Sequence, residues 1–96
     1  MKSLAAATLL RKTDAQVSTD LQGETIILQL ESGNYFSLNE VGVVVWRELD
    51  QPRTVAQLCA KVLAEYEVDE AECARDVGAL IERLIAEHML EVAGPP

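Results

Sequence analysis

The chain holds one histidine, two cysteines and half as many basic as acidic residues, 8 against 16. A lone imidazole, His88, offers no Cys or His cluster at metal-ligand spacing. Neither Cys59 nor Cys73 has a histidine near it to activate a thiol. The five glycines, Gly23, Gly33, Gly42, Gly78 and Gly94, are scattered, so no glycine-rich phosphate loop is present. With a formal net charge of −8 the chain lacks the Lys and Arg that displace counterions from a phosphate backbone, and nucleic acid is a poor partner. No apolar run is long enough to cross a bilayer. Ser3 to Leu10 looks a little like a signal-peptide core behind Lys2. It is short, leads into Arg11-Lys12 and shows no convincing cleavage site, so it reads as a mobile leader or a first element.

Ninety-six residues make one small domain with a single modest core, too small for a substrate domain beside a cofactor domain. No enzyme, cofactor or metal is expected. The carboxylates fall mostly on outer helix faces, where solvation is their ordinary role, and the acidic balance suits a partner with some positive charge.

The hydrophobic pattern switches once. Val17 to Leu21 reads as a strand, broken by Gln22-Gly23. Glu24 to Leu30 then alternates, with Ile26, Leu28 and Leu30 on one face and Ile27 on the other. Turn formers fill Glu31 to Asn34, and Tyr35 to Leu38 is a third short strand. Two short connections imply an antiparallel meander.

After Leu38 the period becomes helical. Val41, Val44, Val45 and Leu49 form one stripe with Trp46 alongside, and the helix stops before Pro52. Thr54-Val55-Ala56-Gln57 is a capping box opening a second helix, whose buried face is Val55, Leu58, Cys59, Val62 and Leu63. Asp69-Glu70-Ala71-Glu72 announces a third, with Cys73, Val77, Leu80, Ile81, Leu84, Ile85 and His88 on its apolar side. Both cysteines lie on these stripes and read as buried, reduced thiols. Met89 to Val92 suits a short closing strand, and 93–96 a disordered tail.

The predicted architecture is α+β: a three-stranded antiparallel sheet followed by three helices, with the element content of a winged helix-turn-helix. A winged-helix transcriptional regulator is the reading from another class. Its recognition helix would carry Arg75 and Arg83 against Glu70, Glu72, Asp76, Glu82 and Glu87, the wrong balance for DNA. What remains is a binding module. With Glu24 to Leu30 in the middle, Tyr35 to Leu38 is an edge strand to which an extended peptide can add, with the third helix as the wall of the groove. The competing reading puts Tyr35, Phe36 and Leu38 in the core, with the edge covered by the N-terminal residues. On the edge reading, Phe36→Pro is expected to remove an edge donor.

Tyr35-Phe36-x-Leu38-Asn39-Glu40-Val41-Gly42, then Trp46, Pro52-Arg53-Thr54-Val55, Glu65-Tyr66-x-Val68, Asp76-Val77 and a closing Leu90, resembles the PqqD family in order and spacing, over Val17 to Val92. Members of this family are the precursor peptide recognition elements of ribosomal peptide modification pathways. The resemblance implies a cytoplasmic, winged-helix-like domain over 15–92, preceded by a flexible or peripheral segment, 1–14. It implies that the domain binds a precursor's leader segment as an added strand and delivers it to a modifying enzyme. Carried onto this chain, the peptide-binding residues are Asn34, Tyr35, Phe36, Ser37 and Leu38 on the strand, and Asp76, Ala79, Leu80 and Arg83 on the third helix. Asp76 either pairs with a basic leader residue or braces the fold. Leu80 either floors the groove or belongs to the core.

Within the family, Asn-Glu-Val-Gly-x-x-x-Trp and Pro-Arg-Thr-Val look most like stand-alone lasso peptide members, which imply a leader peptidase and a cyclase as partners. Asp50-Gln51-Pro52 departs from many relatives in lacking a glycine after the aspartate. The alternative within the family is a peptide chaperone of the pyrroloquinoline quinone pathway, serving a radical enzyme. Either way the expected state is a monomer or weak homodimer, since a free strand edge can pair with its own copy.

Overall fold

Two antiparallel sheets and three helices enclose one core in the computed structural model, which describes residues 5–22 and 24–94. Residues 1–4, 23, 95 and 96 lie outside them, and with them part of the expected leader, the glycine of the first turn and the end of the expected tail. The expected meander is present as β2 (Gln16–Leu21), β3 (Glu24–Gln29) and β4 (Tyr35–Leu38), paired in the order β2-β3-β4. The three helices are α1 (Glu40–Glu48), α2 (Val55–Glu65) and α3 (Glu70–Ala86).

Each helix starts on a side chain that accepts an otherwise unpaired backbone N–H. Asn39 accepts from Gly42 N, Asp69 accepts from Glu72 N, and Thr54 and Gln57 form the reciprocal capping box. Val55, Leu58 and Val62 of α2 meet Cys73, Val77, Ile81 and Leu84 of α3 in the core. Each such large side chain stabilises the fold by roughly 1.5–3 kcal/mol through burial. Along α1 the buried positions are Gly42, Val43, Val45 and Trp46, with Leu49 just beyond. Val41 and Val44, expected on the central stripe, are half-buried at its margin. Cys73 is buried and Cys59 half-buried, both as free thiols. Burial, first of all, pushes the Cys73 thiol above its ordinary range, which keeps it protonated and unreactive.

A second sheet departs from the sequence expectation. β1 (Leu9–Lys12) pairs with β5 (Arg53–Thr54) on one side and β6 (Leu90–Gly94) on the other. Residues 1–14 were expected to be flexible or peripheral, yet Leu10 has no exposed surface and belongs to the core. Ala93 and Gly94, expected in the tail, belong to β6. Pairing across most of the chain length orders these two segments, Leu9–Lys12 and Leu90–Gly94, a non-local effect that leaves no periodic trace in four residues.

His88 also lies elsewhere than expected. It follows α3 rather than riding its apolar side, is exposed, and takes a left-handed φ of 59°. His88 N donates to Ile85 O and Met89 N to Leu84 O, the pair of bonds that closes a Schellman motif and turns Met89 back into the core.

Candidate functional site: the β4 edge and the α3 face

β4 has β3 on one side and, among the described residues, no strand on the other. The alternation of the ladder decides which backbone groups face the open side. Gln29 N donates to Asn34 O across the β3–β4 turn, which makes that a bonded pair, and Phe36 opposite Ile27 is the next one. Tyr35 and Ser37, in the intervening non-bonded pairs, therefore turn their N–H and C=O groups to the free edge. This corrects the expectation attached to Phe36→Pro: the Phe36 donor belongs to the β3 ladder, and the residue whose loss of N–H tests the edge is Ser37.

The edge is held in position by its two ends. At the turn, the buried Gln29 side chain accepts from Glu31 N and Ser32 N at 2.6 and 3.0 Å and donates to a Glu31 carboxylate oxygen at 3.3 Å. Gly33 takes a φ of 78°, which a side chain would strain. At the other end Gly42 lets α1 close on β4, because a Cβ there would lie 3.1 Å from Leu38 Cβ. Leu38 is buried, Phe36 half-buried against the core, and Asn34, Tyr35 and Ser37 are exposed.

Across from the edge stands α3. Asp76, Ala79, Leu80 and Arg83 fall at helical spacing i, i+3, i+4 and i+7 and so share one face. The Arg83 guanidinium lies over the Phe36 ring, 4.7 Å from its centroid, which turns that face toward β4. Asp76, Ala79 and Arg83 are exposed, whereas Leu80 is half-buried and packs on the core. The structure thus brings Phe36 and Arg83 together and places the other three helical positions along the same side.

Sequence reasoning missed a small apolar cavity of about 50 Å³ at the N-terminal end of this face. Val41, Val62, Val68 and Val77 line it, with Glu72 and Asp76 at its wall. The residues come from three helices and a loop, so no single periodic pattern marks them. A larger polar pocket of about 150 Å³ lies by β2, between Lys12, Asp20, Trp46 and Asp50. Its charges already satisfy one another: Lys12 bonds Asp50 at 2.8 Å and Arg47 lies 3.7 Å from Asp20. The hydrogen bond and charge of Lys12 hold the Asp50 carboxyl below the usual range, and Lys12 Nζ sits 4.3 Å from the Trp46 ring centroid. Among the described residues no group of three or more His, Cys, Asp or Glu could hold a metal ion, and no helix is long and apolar enough to cross a membrane.

Two solved structures share this fold. One, described as TbiB1 in complex with the TbiA(beta) leader peptide, is 29% identical with a TM-score of 0.79, over 88% of this chain and 99% of that one. The other, lasso peptide synthetase B1 complexed with the leader peptide, is 26% identical with a TM-score of 0.72, over 85% and 96%. No curated protein matches the sequence. The family described as coenzyme PQQ synthesis protein D matches residues 24–90, which run from the first residue of β3 to the first of β6. An edge strand facing a helix, in a fold shared with two leader-bound proteins and under a family match over most of the chain, leads to one assignment: the chain belongs to the PqqD family.

Proposed function

We propose that this chain binds the leader segment of a ribosomally made precursor peptide. The leader adds as a strand to β4, exchanging backbone hydrogen bonds with Tyr35 and Ser37, and its inward side chains lie against Asp76, Ala79, Leu80 and Arg83. Asn34, Phe36 and Leu38 hold the strand to the turn, the α3 face and the core. The domain carries out no chemistry itself and delivers the leader, in the cytoplasm, to a modifying enzyme. The observation that carries this reading is the unpaired edge of β4 beside an α3 face, in a fold shared with two proteins solved with leader peptides bound. Main-chain bonds supply affinity in such a mode, and pockets for alternate side chains supply specificity.

The likeness to the two lasso peptide proteins favours a leader peptidase and a cyclase as the enzymes served. The description of the matching family favours a second reading, delivery of a precursor in the pyrroloquinoline quinone pathway. The two differ in partner enzyme and share one binding mechanism.

Titration of the isotope-labelled chain with a synthetic leader from the neighbouring precursor gene tests the proposal. Saturable binding should move the backbone amide signals of Tyr35 and Ser37 most. Unmoved signals over Tyr35 to Leu38 would sink the strand-addition reading. Ser37→Pro should weaken binding at least tenfold with the fold retained, because the N–H it removes serves no bond among the described residues.

A further inference from the structure

The groove between β4 and α3 changes charge from one end to the other. Its two walls run in opposite directions. Phe36, near the start of β4, lies against Arg83 in the last turn of α3. Val41, just past the end of β4, shares the small apolar cavity with Glu72, Asp76 and Val77 nearer the start of α3. Glu72 and Asp76 are exposed at the cavity end, and Arg83 is exposed at the other. Arg11, Lys12, Arg47, Arg53 and Lys61 each have a carboxylate partner. Among the described residues Arg83 has none, although Glu87 follows it by one turn, and no base pairs with Glu72 or Asp76. The charges of this face are uncompensated.

The backbone phase sets which leader side chains meet these charges. Tyr35 and Ser37 make the bonded pairs with an added strand, so the leader residue opposite Phe36 falls in a non-bonded pair and points, like Phe36, toward α3. Both strand pairs of this sheet are antiparallel. In the same mode the leader residue two positions earlier lies opposite Leu38, beside Leu80, and the one four positions earlier reaches the cavity end. Four strand residues span about 13 Å. Along the α3 axis Arg83 stands about 10 Å from Asp76 and about 16 Å from Glu72, so the two spacings agree within the reach of a long side chain.

The two ends select opposite side chains. Val41, Val62, Val68 and Val77 give the cavity apolar walls, and its 50 Å³ has room for methylene groups beside two carboxylates. An aliphatic stem with a cationic head satisfies both, a description that fits Lys and Arg. At the other end the Arg83 guanidinium rests its face on Phe36 and keeps its donor edge open to a carboxylate.

We propose that this face sorts leaders by the order of their charges, an inference that rests on the leader-binding reading. A Lys or Arg of the leader lies by Asp76 and Glu72, and an Asp or Glu four residues nearer the leader's C-terminus lies by Arg83. Backbone bonds to Tyr35 and Ser37 form with an added strand of either direction. The charges admit one, because a reversed strand sets its acid against Asp76 and its base against Arg83. The face thereby fixes where the rest of the precursor leaves the groove, beside Tyr35 and the β3–β4 turn.

The test uses the full chain and a synthetic leader from the neighbouring precursor gene, made fluorescent for affinity and, separately, given a nitroxide at the N-terminal end of its bound segment. Glu72→Lys, Asp76→Lys and Arg83→Glu together reverse the face at exposed positions. This variant should bind the native leader about tenfold or more weakly, and a leader with its base and acid exchanged should restore affinity to within about threefold. The milder Arg83→Gln should weaken the native leader about two- to fivefold and make an acid-to-amide change in the leader silent. Arg75→Glu changes net charge by as much on another side of α3 and should leave affinity within about twofold. The nitroxide should broaden the amide signals of Glu72 and Asp76 more than those of Asn34 and Arg83. Native-leader affinity that ignores both Arg83→Gln and the reversed face, or stronger broadening at Arg83, overturns the inference and leaves leader binding in place. A wild-type chain with no saturable binding overturns the leader reading and this inference with it.

Discussion

The Arg83 guanidinium stacks on the Phe36 ring, 4.7 Å from its centroid, and is the contact that joins the α3 face to the edge strand. An exposed cation–π contact of this kind contributes about 0.5–1 kcal/mol. Arg83→Ala should therefore lower stability by less than about 1 kcal/mol, read by thermal denaturation. Its effect on leader titration should be several-fold, because the same side chain borders the groove.

Leu10 tests whether the N-terminal strand is part of the fold. Truncating a fully buried leucine costs about 2–5 kcal/mol, so Leu10→Ala should cause a loss of that order in urea unfolding. A change as small as that of a surface substitution would contradict the placement of β1.

His88 occupies a left-handed position at the end of α3 that suits glycine better. His88→Gly should raise stability by about 0.5–1 kcal/mol. The bonds to Leu84 and Ile85 are backbone bonds and survive the change.

The Lys12–Asp50 pair gives a pH dependence whose sign follows from the lowered Asp50 pKa. A carboxyl depressed in the folded state adds stability above its unfolded pKa, and that contribution is lost as pH falls through the folded value. Asp50 is exposed, so the contribution is at most about 1 kcal/mol, as for surface pairs. Melting of wild type and Asp50→Asn should differ at neutral pH and converge in acid below the ordinary aspartate range. Trp46, the single tryptophan, reports the same event by fluorescence because Lys12 lies over its ring.

The starts of α2 and α3 were legible because Thr54 with Gln57, and Asp69 with the Glu72 backbone, are local devices written in four consecutive residues. The β3–β4 turn was legible for the same reason in Glu31 to Asn34. The placement of Leu10 was not, since it depends on partners at Val92 and Arg53. Alternation in β3 separated its two faces correctly, with Ile27 opposite Ile26, Leu28 and Leu30. A count of apolar residues points to the wrong one as the buried face, because Gln29 and Thr25 satisfy their polar atoms indoors through Glu31, Ser32 and Asp20. At the site, the edge position of β4 followed from strand order, whereas the outward direction of the Tyr35 and Ser37 backbone needed the hydrogen-bond phase at Gln29 and Asn34. The helical face needed the rotation that Arg83 on Phe36 supplies.

Because β3 buries one isoleucine and two polar side chains, the meander is anchored to the helices chiefly through Ile27, Leu38, Trp46 and the flank of Phe36. A layer with so few apolar anchors opens at a lower free energy than the helical core. Its amides should exchange with solvent sooner than those of α2 and α3. A fourth strand would slow that exchange across β2 and β3 as well as β4, so the ligand completes the ordering of the layer that receives it.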